Sequence, residues 1–169
     1  ASEDDGFVNH DGVDWNAIEK AWERNNRAEE LAAKASARAP DRPVRAAKIR
    51  GGSTITQQLA KNLLLSGERT MLRKGQEFVL TLLLERMLSK QRILEIYLNS
   101  VEWGDGVFGA EAAAQRYYKK SASRLSNQEA ARLAVMLPAP KRFEKNPGSA
   151  YIAGRTRTIM GRMSSAELP

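Results

Sequence analysis

Apolar positions along this chain recur at helical spacing. Trp15, Ile18, Ala21 and Trp22 stand three and four residues apart, the period of one helix face, and alanines carry the pattern on to about Ala35. Asp14 is placed to cap that helix. Between about Ala37 and Arg50 the periodicity stops and Pro40 and Pro43 intervene among basic residues, which predicts a mobile connection and a candidate flap. A second helix is expected from Thr54 to about Leu65, because Thr54 and Gln57 have capping-box spacing and Ser66-Gly67 breaks the chain afterwards. The next spans roughly Thr70 to Leu88, and its middle (Phe78, Val79, Leu80, Leu82, Leu83, Leu84) is apolar on most sides, so it reads as a buried central helix. Further helices are expected over Gln91 to about Leu98, Glu111 to Tyr118, Asn127 to Leu137 behind the cap Ser126, and Tyr151 to Met163. Glycines 104, 106 and 109 mark one loop, and Pro138, Pro140, Pro147 and Gly148 another. No stretch alternates as a strand does, so the predicted fold is mainly α, a single helical domain over residues 1–169.

Composition refines this picture in three ways. Twenty-seven Lys and Arg against 20 Asp and Glu give a net charge of +7, which favours anionic partners: nucleic acid, lipid headgroups or phosphorylated substrates. There is no cysteine, hence no disulfide and no thiolate metal site. The mostly apolar run from Phe78 to Leu84 is too short to span a bilayer. The chain opens on Ala1 rather than Met, so a piece of a longer protein, its anchor or targeting segment removed, is expected.

Three constellations carry candidate chemistry. The first is Glu3-Asp4-Asp5: crowded like charges raise the proton affinity of one member, as a general base near neutral pH requires, although a solvated acidic terminus has the same spelling. His10, the lone histidine, suits a structural hydrogen bond better than catalysis. The second is Gly51-Gly52-Ser53-Thr54 running into Gln57, Gln58, Lys61 and Asn62. A glycine loop opening a helix offers backbone N–H groups and a partial positive charge to a phosphate, and Lys61, Arg69, Arg73 and Lys74 follow in the same span. A capped helix start with surface cations is the plainer reading. The third is Glu77, a carboxylate entering an almost wholly apolar helix four residues after Arg73, either as a structural ion pair or as a site group.

In this order the constellations resemble the peptidoglycan glycosyltransferases of glycosyltransferase family 51. Glu3-Asp4, Phe7, His10 and Gly12 match the first motif, and Gly51-Gly52-Ser53-Thr54-Ile55-Thr56-Gln57-Gln58 with Lys61-Asn62 the second. Arg73-Lys74 with Glu77 match the third, and Ser89-Lys90, Ile93-Leu94-Glu95 and Tyr97-Leu98-Asn99 the fourth. The fifth is partial: Arg155 and Ile159-Met160 fit, but Thr156 stands where many members have a second Arg. Gly104 to Gly109 and Glu111 to Tyr118 are similar to the monofunctional biosynthetic branch, and the resemblance covers Ser2 to about Met163.

The resemblance implies a lysozyme-like helical domain that polymerises lipid II into glycan strands, inverting the anomeric carbon and releasing polyprenyl pyrophosphate. It makes Glu3 the general base and Glu77 the second functional carboxylate, with Asp4 beside the base. It places Ser53, Thr54, Gln57, Gln58, Lys61, Asn62, Arg69, Arg73 and Lys74 on substrate sugar or pyrophosphate. It allows a divalent cation, Mg or Mn, near the pyrophosphate or the Glu3 and Asp4 region. It also implies action at a membrane surface, on the periplasmic or outer face of a bacterial inner membrane, with other cell wall synthesis proteins as further partners. Three competing readings remain. A lysozyme-type hydrolase would need a protonated acid for its leaving oxygen. A nucleic-acid-binding module would need a basic stripe with stacking aromatics, which is missing. A membrane-surface binding protein without catalysis would use Phe7, the leucines and the methionines.

Overall fold

A computed structural model describes residues 2–38, 52–65 and 70–169. These fall into two compact units, one within 1–12 and 54–169, the other within 13–53. Most of the expected candidate flap, and with it Gly51 and Arg69, lies outside the described residues.

In the 13–53 unit, α1 (Trp15–Arg38) starts where Asp14 caps it, its Oδ1 accepting from the Ala17 N–H at 2.8 Å. The helix runs a few residues past the expected end. Gly52 lies so close to α1 that a Cβ there would come within 3.2 Å of the Ala17 carbonyl oxygen.

The other unit opens with a short 3-10 turn, Phe7–Asn9. It continues through α2 (Ile55–Leu64), α3 (Met71–Met87) and α4 (Lys90–Ser100). Strands β1 (Glu102–Gly104) and β2 (Val107–Phe108) pair as an antiparallel hairpin, followed by α5 (Ala110–Tyr118). After a second 3-10 turn at Ala122–Arg124 come α6 (Asn127–Met136), α7 (Pro140–Glu144) and α8 (Ala150–Met163). The predicted mainly α class is what forms. Caps explain the boundaries: Thr54, Thr70, Ser89, Ser126 and Ser149 each accept from a first-turn N–H. The Thr54–Gln57 and Ser126–Glu129 pairs form complete capping boxes.

The main core gathers Phe7, Ile55, Leu59, Ile93, Tyr97, Trp103, Leu133 and Met136 from elements far apart in sequence. A second cluster, Ala131, Val135, Ile152 and Ile159, joins α6 to α8. Thr156 is buried on α8, and its hydroxyl has no hydrogen-bond partner.

Three expectations need correction. The glycine loop at 104–109 contains the small hairpin, too short for alternation to register. The proline-marked loop contains α7, with Pro140 in its first turn, where a missing N–H does no harm. Most consequentially, α3 is not a buried central helix. Its only buried residues are Glu77 and Thr81, while Met71, Leu72, Phe78, Val79, Leu82, Leu83 and Met87 are exposed.

Candidate active site

The candidate site grows from the chain's acidic beginning folded against α2. Glu3 and Asp4 are both partly buried, and α2 supplies the groups that receive them. Asp4 takes the Ile55 backbone N–H on Oδ2 at 3.0 Å and the His10 Nε2 at 3.0 and 3.1 Å on its two oxygens. His10 Nδ1 accepts from the Gly12 N–H at 3.2 Å, so Nε2 carries the proton that bonds Asp4. The Thr54 hydroxyl donates to the Gly12 carbonyl at 2.7 Å and accepts from the Gln57 N–H at 3.2 Å. The Gln57 Oε1 accepts from the Thr54 N–H at 3.1 Å.

At the start of α2, expected as a phosphate cradle, this network already seats an anion. The anion at that helix N-terminus is the protein's own Asp4, and the Thr54 and Gln57 side chains are occupied in capping. Asp4, Thr54 and Gln57 are therefore held as framework. Ser53 belongs to the other unit and Arg69 lies outside the described residues. Lys61 and Asn62 are exposed on α2, open to a ligand.

Glu3 has a different environment from its neighbour. Its Oε2 accepts from Gln58 Nε2 at 3.2 Å, and Gln58 Oε1 in turn receives the Tyr97 hydroxyl of α4 at 3.1 Å. Burial raises the proton affinity of Glu3 above the ordinary value of 4.5, the Gln58 bond and the Arg155 charge oppose that rise, and the Asp4 charge adds to it. Desolvation is the first cause, not the crowding of carboxylates that the sequence suggests. A carboxylate of raised basicity, partly withdrawn from water, suits proton abstraction.

The second carboxylate, Glu77, is 3 % exposed in the first half of α3. Arg73 Nη1 lies 3.4 Å from its Oε2, and Lys74 Nζ bonds its Oε1. Arg73 Nε is buried without a partner, while the Lys74 side chain is half exposed. The arrangement fixes two cations by one buried anion and leaves donor capacity over. A third carboxylate, Glu85, is clasped by the Thr56 hydroxyl at 2.5 Å and by Lys90 Nζ at 2.8 Å, and Lys90 stands 4.6 Å from the centre of the Phe7 ring. It ties α2, α3, α4 and the first motif together.

Sequence reasoning met Tyr97, Lys90 and Arg155 only as motif matches without a site role, and passed over Glu85. Their residue types show nothing in isolation; only their partners, 29 to 39 residues away for Glu85–Thr56 and Tyr97–Gln58, give them a role.

No three His, Cys, Asp or Glu side chains converge as metal ligands among the described residues. Asp4's oxygens already accept from His10 and the Ile55 N–H, and Glu3 Oε2 accepts from Gln58.

A Transglycosylase family model matches residues 1–164, nearly the whole chain and every element of the site. The chain belongs to the transglycosylase family. It is 56% identical over 169 residues to the biosynthetic peptidoglycan transglycosylase of Herminiimonas arsenicoxydans, covering all of this chain and 66% of that protein. The corresponding figures are 55% and 63% for the protein of that name from Paraburkholderia phytofirmans, and 53% and 64% for that from Bordetella pertussis. The chain thus spans a little under two thirds of these curated relatives' length.

Proposed function

We propose that this domain is a peptidoglycan glycosyltransferase that polymerises lipid II for cell wall biosynthesis. The observation that carries the proposal is Glu3: a desolvated carboxylate with raised basicity, held by Gln58, in a transglycosylase-family chain. In the proposed step Glu3 takes the proton of the acceptor's sugar 4-hydroxyl as that oxygen attacks the anomeric carbon of the growing chain. The bond to the pyrophosphate oxygen breaks with its electron pair, the configuration inverts, and polyprenyl pyrophosphate departs. Such a leaving group needs positive charge rather than a proton. Lys61, Arg73 and Lys74 are the described cations we assign to it, with Arg69 carried over from the family resemblance. Glu77 holds Arg73 and Lys74 in place.

Whether Mg or Mn assists at the pyrophosphate is tested by chelation in the same assay. We further propose that the domain works at a lipid surface, on the outer face of a bacterial inner membrane and beside other cell wall synthesis proteins. The exposed apolar face of α3 supports the lipid-surface part. It continues into a groove of about 790 Å³ lined by Leu64, Met71, Leu72, Val79 and Leu80. No described helix is long and apolar enough to cross a membrane.

The deciding experiment is polymerisation of labelled lipid II by Glu3→Gln. We expect a loss of about two to four powers of ten with the fold intact. Full activity would sink the assignment.

A further inference from the structure

Tyr97 sits 2 % exposed in an apolar cluster with Leu59, Ile93 and Trp103. Packing alone would be served by phenylalanine, and a buried phenol needs a partner for its hydroxyl. That partner is Gln58 Oε1 at 3.1 Å, and the other end of the same amide meets Glu3 Oε2 at 3.2 Å. A glutamine amide can present either its oxygen or its NH2 to a neighbour, and an ionised carboxylate only accepts. With the amide turned round, oxygen would face oxygen.

We propose that Tyr97 is a positioning residue for the Glu3 base: its hydroxyl holds the Gln58 amide in the orientation that presents N–H to Glu3. The proposal rests on the reading of Glu3 as general base and deepens it. The three residues come from the N-terminal segment, α2 and α4, so the chain of hydrogen bonds anchors the catalytic carboxylate in the hydrophobic core. Burial first, then the negative charges of Glu3 and Asp4, raise the proton affinity of the Tyr97 phenol, so it remains a donor across the working pH range. Donation at one end of the amide also polarises the N–H at the other, strengthening its bond to the ionised carboxylate.

The test is a double-mutant cycle with Tyr97→Phe and Gln58→Leu, measured as turnover on lipid II across pH and accompanied by thermal melts. Tyr97→Phe keeps the ring and removes only the oxygen. We expect turnover to fall by up to about tenfold, the upper end of what one hydrogen bond between neutral groups contributes, with the acid limb of the pH profile moved upward. We expect no additional loss when Tyr97→Phe is added to Gln58→Leu, since the path to Glu3 is already cut. A wild-type pH profile in Tyr97→Phe, or losses that simply multiply in the double variant, would overturn the proposal. Should Tyr97→Phe fail to fold, Gln58→Leu alone must show the upward limb, and an unmoved limb is equally fatal. Glu3→Gln, run alongside, separates the two levels: activity in that variant removes the base reading itself, whereas inactivity there with an unaffected Tyr97→Phe removes only the positioning role.

Discussion

Glu3 and Asp4 are adjacent in sequence and differ in what folding gives them. Asp4 receives a backbone N–H and the His10 ring and is held as framework, whereas Glu3, among the described residues, receives an amide bond from Gln58 and loses water. The difference has a stability consequence whose sign follows from linkage. A carboxyl whose folded pKa lies above its unfolded value binds its proton better in the native state. That advantage is complete below the ordinary 4.5 and is lost as pH rises through the folded value, so ionised Glu3 costs stability at neutral pH. We therefore expect Glu3→Gln to melt at or above the wild-type temperature at pH 7 and the two to converge below pH 4.5. Thermal melts across pH would show the opposite sign if Glu3 were a structural ion-pair member. On our reading of Glu3 as the base, this is the trade-off between stability and activity that recurs at active sites.

At the scale of elements, the turn at Gly12 and helix α3 each hold a lesson. Gly12 has φ +85°, and a Cβ there would lie 2.6 Å from the Thr81 methyl and 2.9 Å from Glu85 Cγ. The first motif ends in glycine for both reasons: the left-handed backbone and the approach of α3. Gly12→Ala is expected to cost about 1–3 kcal/mol or more in chemical denaturation, since strain at a special backbone angle and overpacking both contribute. A cost near zero would show that the turn relaxes freely. In α3, Met71, Phe78 and Leu82 stand seven and four residues apart, with Leu72, Val79 and Leu83 beside them at the same spacing, and all are exposed. The opposite face carries Glu77 and Thr81 with the half-buried Leu80 and Leu84. Both faces are apolar because, on our reading, one meets the protein and the other a lipid surface. Replacing Leu82 and Leu83 by Glu should change stability by no more than about 1 kcal/mol for two exposed sites, and should sharply reduce sedimentation with anionic liposomes. Undiminished liposome binding would assign that face to something else.

For the whole molecule, the question is transfer against hydrolysis. A hydrolase of glycan strands must protonate a sugar oxygen, which needs a carboxylic acid near a separate nucleophile or water. Here the second carboxylate, Glu77, is engaged by Arg73 and Lys74, which suits charge placement rather than proton donation. Incubation with purified glycan strands is accordingly expected to release no small muropeptides; their appearance would revive the lysozyme-type reading. The net charge of +7 likewise takes on a local meaning, with Lys61, Arg73 and Lys74 as candidates for an anionic leaving group rather than a uniform basic stripe.

The sequence by itself determined the helical class, the caps that start α1, α2 and α6, the ordered motifs, and Glu3, Lys61, Arg73 and Glu77 as the residues to watch. These are local quantities: capping, periodicity and short motifs act within a few residues of chain and leave their mark in the order of residue types. Tertiary structure decided which apolar face of α3 is covered. It also decided that the anion at the start of α2 is Asp4, and that Tyr97 reaches Glu3 through Gln58. Each of these depends on groups brought together from distant parts of the chain, where burial, exposure and hydrogen-bond direction are set by what packs alongside. No pattern confined to one helix carries that information.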